Sequence, residues 1–352
     1  MNNNNNRSSK ILFWNVRGIN SQEKWDAIRD KILESACQVV CLQETKRESF
    51  DNFYIKMFCP RNLDQFAYSP SIGASRGIIT IWNSSLFDGS VVHINSYAMT
   101  IKLLCKLDNK IIHLTNIYGP ASSPQKMGFI TWLMNFDTSD FDDWVLCGDF
   151  NLIRYPKNRN KPCGDQTEMN LFNEAISDLD LVDIPFSGRN YTWSNMQNDA
   201  LLVKLDWIFT SASWTLSFPA TFVQPLSKPV SDHIPYILHI GSSISKSKNL
   251  DLKISRLSTL VFIDIVKLHW NSSPYHANAA QTMSAKFKQV KAGLKTWSKK
   301  LSNLSKLIYN YNWVLLLLDG LEDQRELSRQ ETTFRALVKS HLATLLEAKR
   351  VY

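Results

Sequence analysis

The fold is read outward from Val145-Leu146-Cys147-Gly148-Asp149-Phe150-Asn151. Trp144 leads in, the first residues are apolar or small, and Gly148, Asp149 and Asn151 then arrive together. The pattern predicts a buried strand that ends by delivering a carboxylate and a carboxamide. With one residue between them, strand alternation points both polar groups the same way. Such a pair suits a centre where one group takes a proton and its neighbour holds an oxyanion. An ordinary strand-to-turn junction punctuated by Gly, Asp and Asn has the same composition, so the flanking chain must decide.

Upstream, Lys10 to Asn15 reads as a short buried strand ending in Asn15, with Val16-Arg17-Gly18 as a turn. Ser21 has the character of an N-cap. Trp25, Ile28, Ile32 and Leu33 fall at helical spacing, predicting a helix over 23–36 with one apolar face. Val39 to Gln43 is a second buried strand, delivering Glu44. Strand-like segments follow over 66–69, 77–82, 91–96, 99–106 and 110–118, with Leu107-Asp108-Asn109-Lys110 as a hairpin turn. Helical patterns cover 123–135 and 166–179, and strand-like ones 191–193, 203–210 and 235–240. His113 and His239 lie in apolar strands and read as core histidines; Trp193 reads as a hairpin packing residue. Many short strands with few helices between them argue for two packed sheets with helices outside. The expected class is α/β: a four-layer sandwich of two packed mixed β-sheets flanked by helices, followed by a helical C-terminal segment.

Polar residues stand at strand ends in the order Asn15, Glu44, Tyr118, Asp149 with Asn151, Asp206, and Ser231-Asp232-His233. The phrases Trp14-Asn15, Leu42-Gln43-Glu44-Thr45, Asn116-Ile117-Tyr118, Gly148-Asp149-Phe150-Asn151, Leu205-Asp206 and Ser231-Asp232-His233 together resemble the endonuclease/exonuclease/phosphatase superfamily. The resemblance spans about residues 10–240. It is nearest to the apurinic-like endonuclease of plant non-LTR (LINE-type) retrotransposons, and the hairpin Tyr191-Thr192-Trp193-Ser194-Asn195 supports that branch. Each phrase alone is weak; all six in order are a strong signal.

The resemblance implies a hydrolase, a metal-dependent phosphodiesterase that nicks DNA and leaves a 3′-hydroxyl. Its cofactor would be Mg²⁺, with Mn²⁺ as a substitute, a hard cation that absorbs charge on the phosphate. Glu44 is the leading ligand, assisted by Asp232, with Asn15 in the metal shell. Asp149 would accept a proton from water and Asn151 would donate to a phosphate oxygen. His233 would bind or protonate the phosphate, with Asp206 holding its imidazole. Tyr118 would contact the metal shell and phosphate, and Arg17, Thr192 and Ser231 the substrate. Arg17 is a departure, because many relatives carry an acidic residue there; a cation cannot ligate Mg²⁺ but can bind phosphate. Two other readings stand beside the nuclease: a phosphatase acting on a small phosphoester, and a decayed non-catalytic protein that binds nucleic acid.

The 352 residues suit about two domains of roughly 150 each, and 44% hydrophobic with 20% charged residues is a globular composition. Charge is uneven. Residues 1–240 hold 22 Lys+Arg against 24 Asp+Glu, whereas 241–352 hold 18 against 8. The expected organisation is therefore a disordered Asn-rich tail at 1–9, a nuclease domain at 10–240, a linker at 241–249 and a basic helical segment at 250–352. In that segment Leu260, Ile263, Val266 and Trp270 keep helical spacing. Val290, Leu294, Trp297, Leu301, Leu304 and Ile308 form an apolar stripe opposite a row of lysines, and Leu327 to Leu345 continues the pattern. It would pack on itself, bind a helical partner or attach electrostatically to DNA. No polymerase-like sequence follows, so the expectation is a retroelement nuclease without its reverse transcriptase. The six cysteines show no zinc spacing and read as reduced thiols. With no secretory signal and no bilayer-length apolar run, the expected place is the nucleus or cytoplasm, not outside the cell or in a membrane.

Overall fold

The computed structural model describes residues 9–72, 75–197, 199–228, 230–241, 267–272 and 279–351. Of the expected tail at 1–9, linker at 241–249 and helical stripe from Leu260 to Trp270, residues 1–8, 242–249 and 260–266 lie outside the described residues, and Ser9 already belongs to a strand. The chain divides into two compact units, Met1–Ser245 with Asp319–Glu326, and Lys246–Leu318 with Leu327–Tyr352.

Two six-stranded mixed sheets make the first unit. One contains β1 (Ser9–Asn15), β2 (Val39–Gln43), β3 (Gln65–Ile72), β4 (Ser75–Trp82), β13 (Phe222–Pro225) and β14 (Tyr236–Ile240), in the order β13-β14-β1-β2-β4-β3. The other contains β5 (Phe87–Ile94), β6 (Ala98–Cys105), β7 (Ile111–Tyr118), β8 (Trp144–Asp149), β9 (Leu181–Asp183) and β12 (Asp206–Ser211), in the order β5-β6-β7-β8-β12-β9. The pairs β1–β2 and β7–β8 run parallel and the remaining pairings antiparallel. A ribbon of β10 (Trp193–Ser194) and β11 (Leu202–Val203) stands apart.

The central strands are apolar on both faces because both faces are covered. In β1, Ile11 and Phe13 face the other sheet, where Met99, Ile101, Leu114, Val145 and Cys147 meet them. Leu12 and Trp14 point outward onto α1 (Gln22–Ser35) and α2 (Asn52–Phe58). In β8, Trp144 and Leu146 point outward onto α3 (Ser123–Met134) and α4 (Gln166–Asp178). Helices, sheet, sheet, helices: the four layers expected from sequence are present. Fully buried Trp14, Trp144 and Trp207 anchor the outer layers, each large apolar side chain contributing about 1.5–3 kcal/mol.

Local chemistry starts the helices, at Ser21 as expected. The side chains of Ser21, Asp51 and Asp165 accept backbone N–H groups at the N-termini of α1, α2 and α4, caps worth about 1 kcal/mol each. Asn109, with φ 57°, closes the hairpin between β6 and β7. The six cysteines are free thiols. His113 is buried and stacks on Phe141. His239 is not a core residue: it is only half-buried, stacks on Phe222 and pairs with Gln224. Its strand β14 lies beside the edge strand β13, which leaves that ring partly open.

The second unit holds most of α6 (Ala279–Glu322), whose residues from Asp319 on belong to the first, and α7 (Arg329–Val351); they pack together through Ile308 and Leu315 of α6 and Val338 and Leu342 of α7. No helix among the described residues is long and apolar enough to cross a membrane.

Candidate active site

The parallel strands of both sheets finish at the same place. β1 ends at Asn15, β2 is followed by Glu44, β7 ends at Tyr118 and β8 at Asp149. The antiparallel strand β12 begins at Asp206, directly opposite Asp149 in register. The loop before β14 returns Ser231 to His233 to this end, clamped between β1 and the ribbon. Ser231 Oγ donates to the Asn15 carbonyl (2.8 Å), the Trp14 indole to the His233 carbonyl (3.1 Å), and Ile234 N–H to the Thr192 carbonyl (3.0 Å). Above these residues opens a cleft of about 480 Å³ lined by Arg17, Glu44, Tyr118, Asp149, Asn151, Trp193 and His233 among others.

Its floor is a charged chain. His233 Nδ1 lies 2.9 Å from Asp206 Oδ2, and Nε2 lies 3.6 Å from Asp149 Oδ2. All three side chains are buried. Burial works against a charged imidazole, but the carboxylates of Asp206 and Asp149 outweigh it and raise His233 to about 9. Burial lifts Asp149 to about 7, with His233 resisting and Asp206 reinforcing the rise. Two carboxylates sharing one imidazolium make a unit that gives up its protons in coupled steps. Tyr118 stays a neutral phenol, because burial and then the charges of Glu44 and Asp149 oppose its ionisation.

The end of β8 is shaped by two unusual residues rather than by alternation. Gly148 has φ 135°, and a Cβ there would sit 2.1 Å from the Ile117 carbonyl oxygen, so the close β7–β8 approach requires glycine. The strand stops at Asp149, and Asn151 turns left-handed with φ 53°. Asn151 thereby folds back on Asp149: its N–H donates to Oδ1 (2.9 Å), and its Nδ2 donates to Oδ2 (3.2 Å) and to the Gly119 carbonyl (2.9 Å). The expected convergence occurs, but by a turn. As placed, the Asn151 amide holds Asp149 and has no proton left for a phosphate.

A family model described as the endonuclease/exonuclease/phosphatase family matches residues 12–233. The chain belongs to that family. No curated protein sequence matches it. Among solved structures, the AP endonuclease LMAP from Leishmania major is similar at 17% identity and TM-score 0.52, covering 67% of this chain and 89% of that one. An AP endonuclease from Archaeoglobus fulgidus is similar at 19% identity and TM-score 0.51, covering 66% and 99%. The endonuclease domain of TRAS1, a telomere-specific non-LTR retrotransposon, is similar at 12% identity and TM-score 0.50, covering 68% and 100%. At these identities the likeness to each structure is one of fold.

Within the family fold, several expected contacts take a different form. Asn15 is fully buried; Nδ2 donates to Asp149 Oδ2 (2.8 Å) and Oδ1 accepts the Arg17 N–H (3.1 Å). It positions Asp149, and its Oδ1 is turned to the Arg17 backbone. Thr192 and Ser231 do not face a substrate either. The Thr192 hydroxyl accepts the N–H groups of Leu205 (2.9 Å) and Asp206 (3.0 Å), fixing the start of β12. Ser231 Oγ, besides its bond to Asn15, accepts the His233 N–H (3.1 Å). Asp232 Oδ2 is taken by the Arg17 guanidinium and by the Trp193 indole N–H (2.7 Å).

Hard cations choose carboxylate oxygens. Asp149, Asp206 and His233 bring ligand atoms within 4.8 Å of one another, yet their facing atoms are engaged with one another and with Asn15 and Asn151. Glu44, whose side chain is 12% exposed at the cleft, is a further carboxylate that could hold a divalent ion, with its Oε1 also facing Lys46 and Arg17. Sequence reasoning missed Lys46, whose ammonium lies 3.0 Å from Glu44 Oε1, and the role of Trp193 as a donor to Asp232. The spacing of Lys46 two residues after Glu44 was the available signal. Trp193 offered one too, since it sits in the hairpin quoted for the family resemblance.

Proposed function

We propose that the protein is a divalent-metal-dependent DNA endonuclease that nicks one strand by phosphodiester hydrolysis and leaves a 3′-hydroxyl, a nuclease of the kind carried by non-LTR retrotransposons. The observation that carries this reading is the chain Asp206–His233–Asp149 at the floor of an open cleft, with Glu44 and Tyr118 beside it. The likeness to two AP endonucleases and to a retrotransposon endonuclease supports DNA as substrate and a retroelement origin.

Asp149 accepts the proton of the attacking water, held in place by Asn15 and Asn151. His233, kept protonated by Asp206, faces the phosphate oxygen on which charge grows. The neutral Tyr118 hydroxyl remains a donor at the same place. Glu44 would hold the divalent ion, which when bound supplies Lewis-acid stabilisation of the phosphate. Supercoiled plasmid incubated with purified protein and Mg²⁺ should convert to open circles, and EDTA should stop it. Asp149→Ala should lower the rate by about 10²–10⁴-fold. Absence of nicking with Mg²⁺, or full activity in the variant, would overturn the assignment.

A further inference from the structure

Arg17 follows β1 on a left-handed residue, φ 49°, whose N–H is tied to Asn15 Oδ1. That turn sends the side chain across the mouth of the cleft. Its Nη1 pairs with Asp232 Oδ2, and its Nε lies 3.8 Å from Glu44 Oε1. Lys46 Nζ lies 3.0 Å from the same Glu44 oxygen. Two carboxylates at the mouth therefore already face two cations, and the group is neutral before any ion arrives. A guanidinium does not lose its proton in a protein, so pH does not release it. Affinity for a hard cation follows the number and charge of its oxygen ligands. Asp232 Oδ2 is engaged by the arginine and by an indole N–H, and Oδ1 faces the Ser231 hydroxyl at 3.5 Å, so this carboxylate is partly neutralised and competes poorly as a ligand.

We propose that Arg17 is a built-in cation of the metal centre: it withholds Asp232 from the ligand set and shares Glu44, so the centre takes one divalent ion, weakly held, with Glu44 as its only carboxylate. This rests on the metal-dependent reading above and adds what limits the ion's number and affinity. The Arg17 side chain is about half exposed (49%) and lines the cleft. Its planar fork suits the incoming phosphate, so the charge that a second ion would supply comes from the chain.

Mn²⁺ titration of the full chain, followed by loss of the free-ion electron paramagnetic resonance signal, reads binding without turnover. The chain should bind one Mn²⁺, and Arg17→Ala should tighten binding by about tenfold or more or add a second ion. Asp232→Asn should change affinity by less than about threefold beside Arg17, yet abolish the gain in the Arg17→Ala background. Dependence on Asp232 only when Arg17 is absent separates withholding from a structural effect. Arg17→Met, which keeps the aliphatic stem, serves if Arg17→Ala fails to fold. Unchanged affinity in the arginine variants, or equal sensitivity to Asp232→Asn in both backgrounds, overturns the proposal. Glu44→Gln reports on the parent reading separately: lost binding supports the metal centre at Glu44, and retained binding removes it whatever Arg17 does.

Discussion

Asp149 and His233 titrate against each other, because a buried carboxyl and a buried imidazolium 3.6 Å apart each depend on the other's charge. Asp149 works as a base only once its proton has left, and its carboxyl is lifted to about 7 by burial. His233 stabilises phosphate charge only while protonated, and Asp206 and Asp149 hold it so up to about 9 against burial. Activity should therefore rise with pH along an acidic limb no higher than about 7, and fall along a basic limb near 9. Asp206→Asn removes the charge that most favours the imidazolium, so the basic limb should move to lower pH. Nicking rates across the range at fixed Mg²⁺ test this, and a basic limb unmoved by Asp206→Asn would take His233 out of the role. Glu44, Tyr118, Asp149, Asp206 and His233 were legible in the sequence as polar residues ending apolar strands. The tasks of Asn15, Asn151, Thr192 and Ser231 were not, because residue type does not say which atoms neighbours consume.

At the level of elements, one polar pair pins the two sheets together beneath the site. Gln43, at the end of β2, donates through Nε2 to Asn116 Oδ1 of β7 (2.7 Å). The Asn116 amide in turn donates to the Ile79 carbonyl (3.0 Å) and Thr80 Oγ1 (3.2 Å) of β4. All of these groups are buried, so the pair fixes the position of Glu44 against Tyr118, each one or two residues further along. Asn116→Ala leaves the Gln43 donor without its main acceptor and opens a small void. It should cost about 2–4 kcal/mol in urea unfolding, and a loss below about 0.5 kcal/mol would show that the sheets are held by apolar packing alone. The strands that carry this pair were legible, since β2 and β8 are apolar runs ended by polar residues, and β7, although it holds His113, Thr115 and Asn116, is rich in β-branched residues. The elements that were missed are short or polar: α2, α5 (Ala212–Ser217), β9 and β13. Strands of three or four residues at a sheet edge bury too little to leave a periodic signature. Sheet order was illegible for another reason, since β1 pairs with β14 from the far end of the domain.

For the molecule as a whole, the question is what completes the first unit. Residues 319–326 belong to it, although about 80 residues separate them in sequence from Gly241. The Arg189 side chain is 5% exposed, and its counter-charges are Asp319 and Asp323, at 2% and 4%. Nη2 donates to Asp323 Oδ1 (3.3 Å), while Nε and Nη1 face Asp323 and Asp319 at 3.1 and 3.5 Å. Asp323 also accepts the Asn190 N–H (3.0 Å), just ahead of the hairpin that carries Thr192 and Trp193. A buried ion pair adds little net stability when intact, but an orphaned partner costs about 3–5 kcal/mol. Asp319→Ala with Asp323→Ala should therefore destabilise the full chain by that order. A chain ending at Gly241 should lose as much, because it discards both carboxylates and keeps the arginine. Replacing Arg189, Asp319 and Asp323 together by apolar residues of similar volume should recover most of the loss, since no buried charge is then left alone. Urea midpoints of the four chains decide it: if the double variant unfolds where the parent does, Arg189 finds water or another acceptor, and residues up to 241 suffice by themselves.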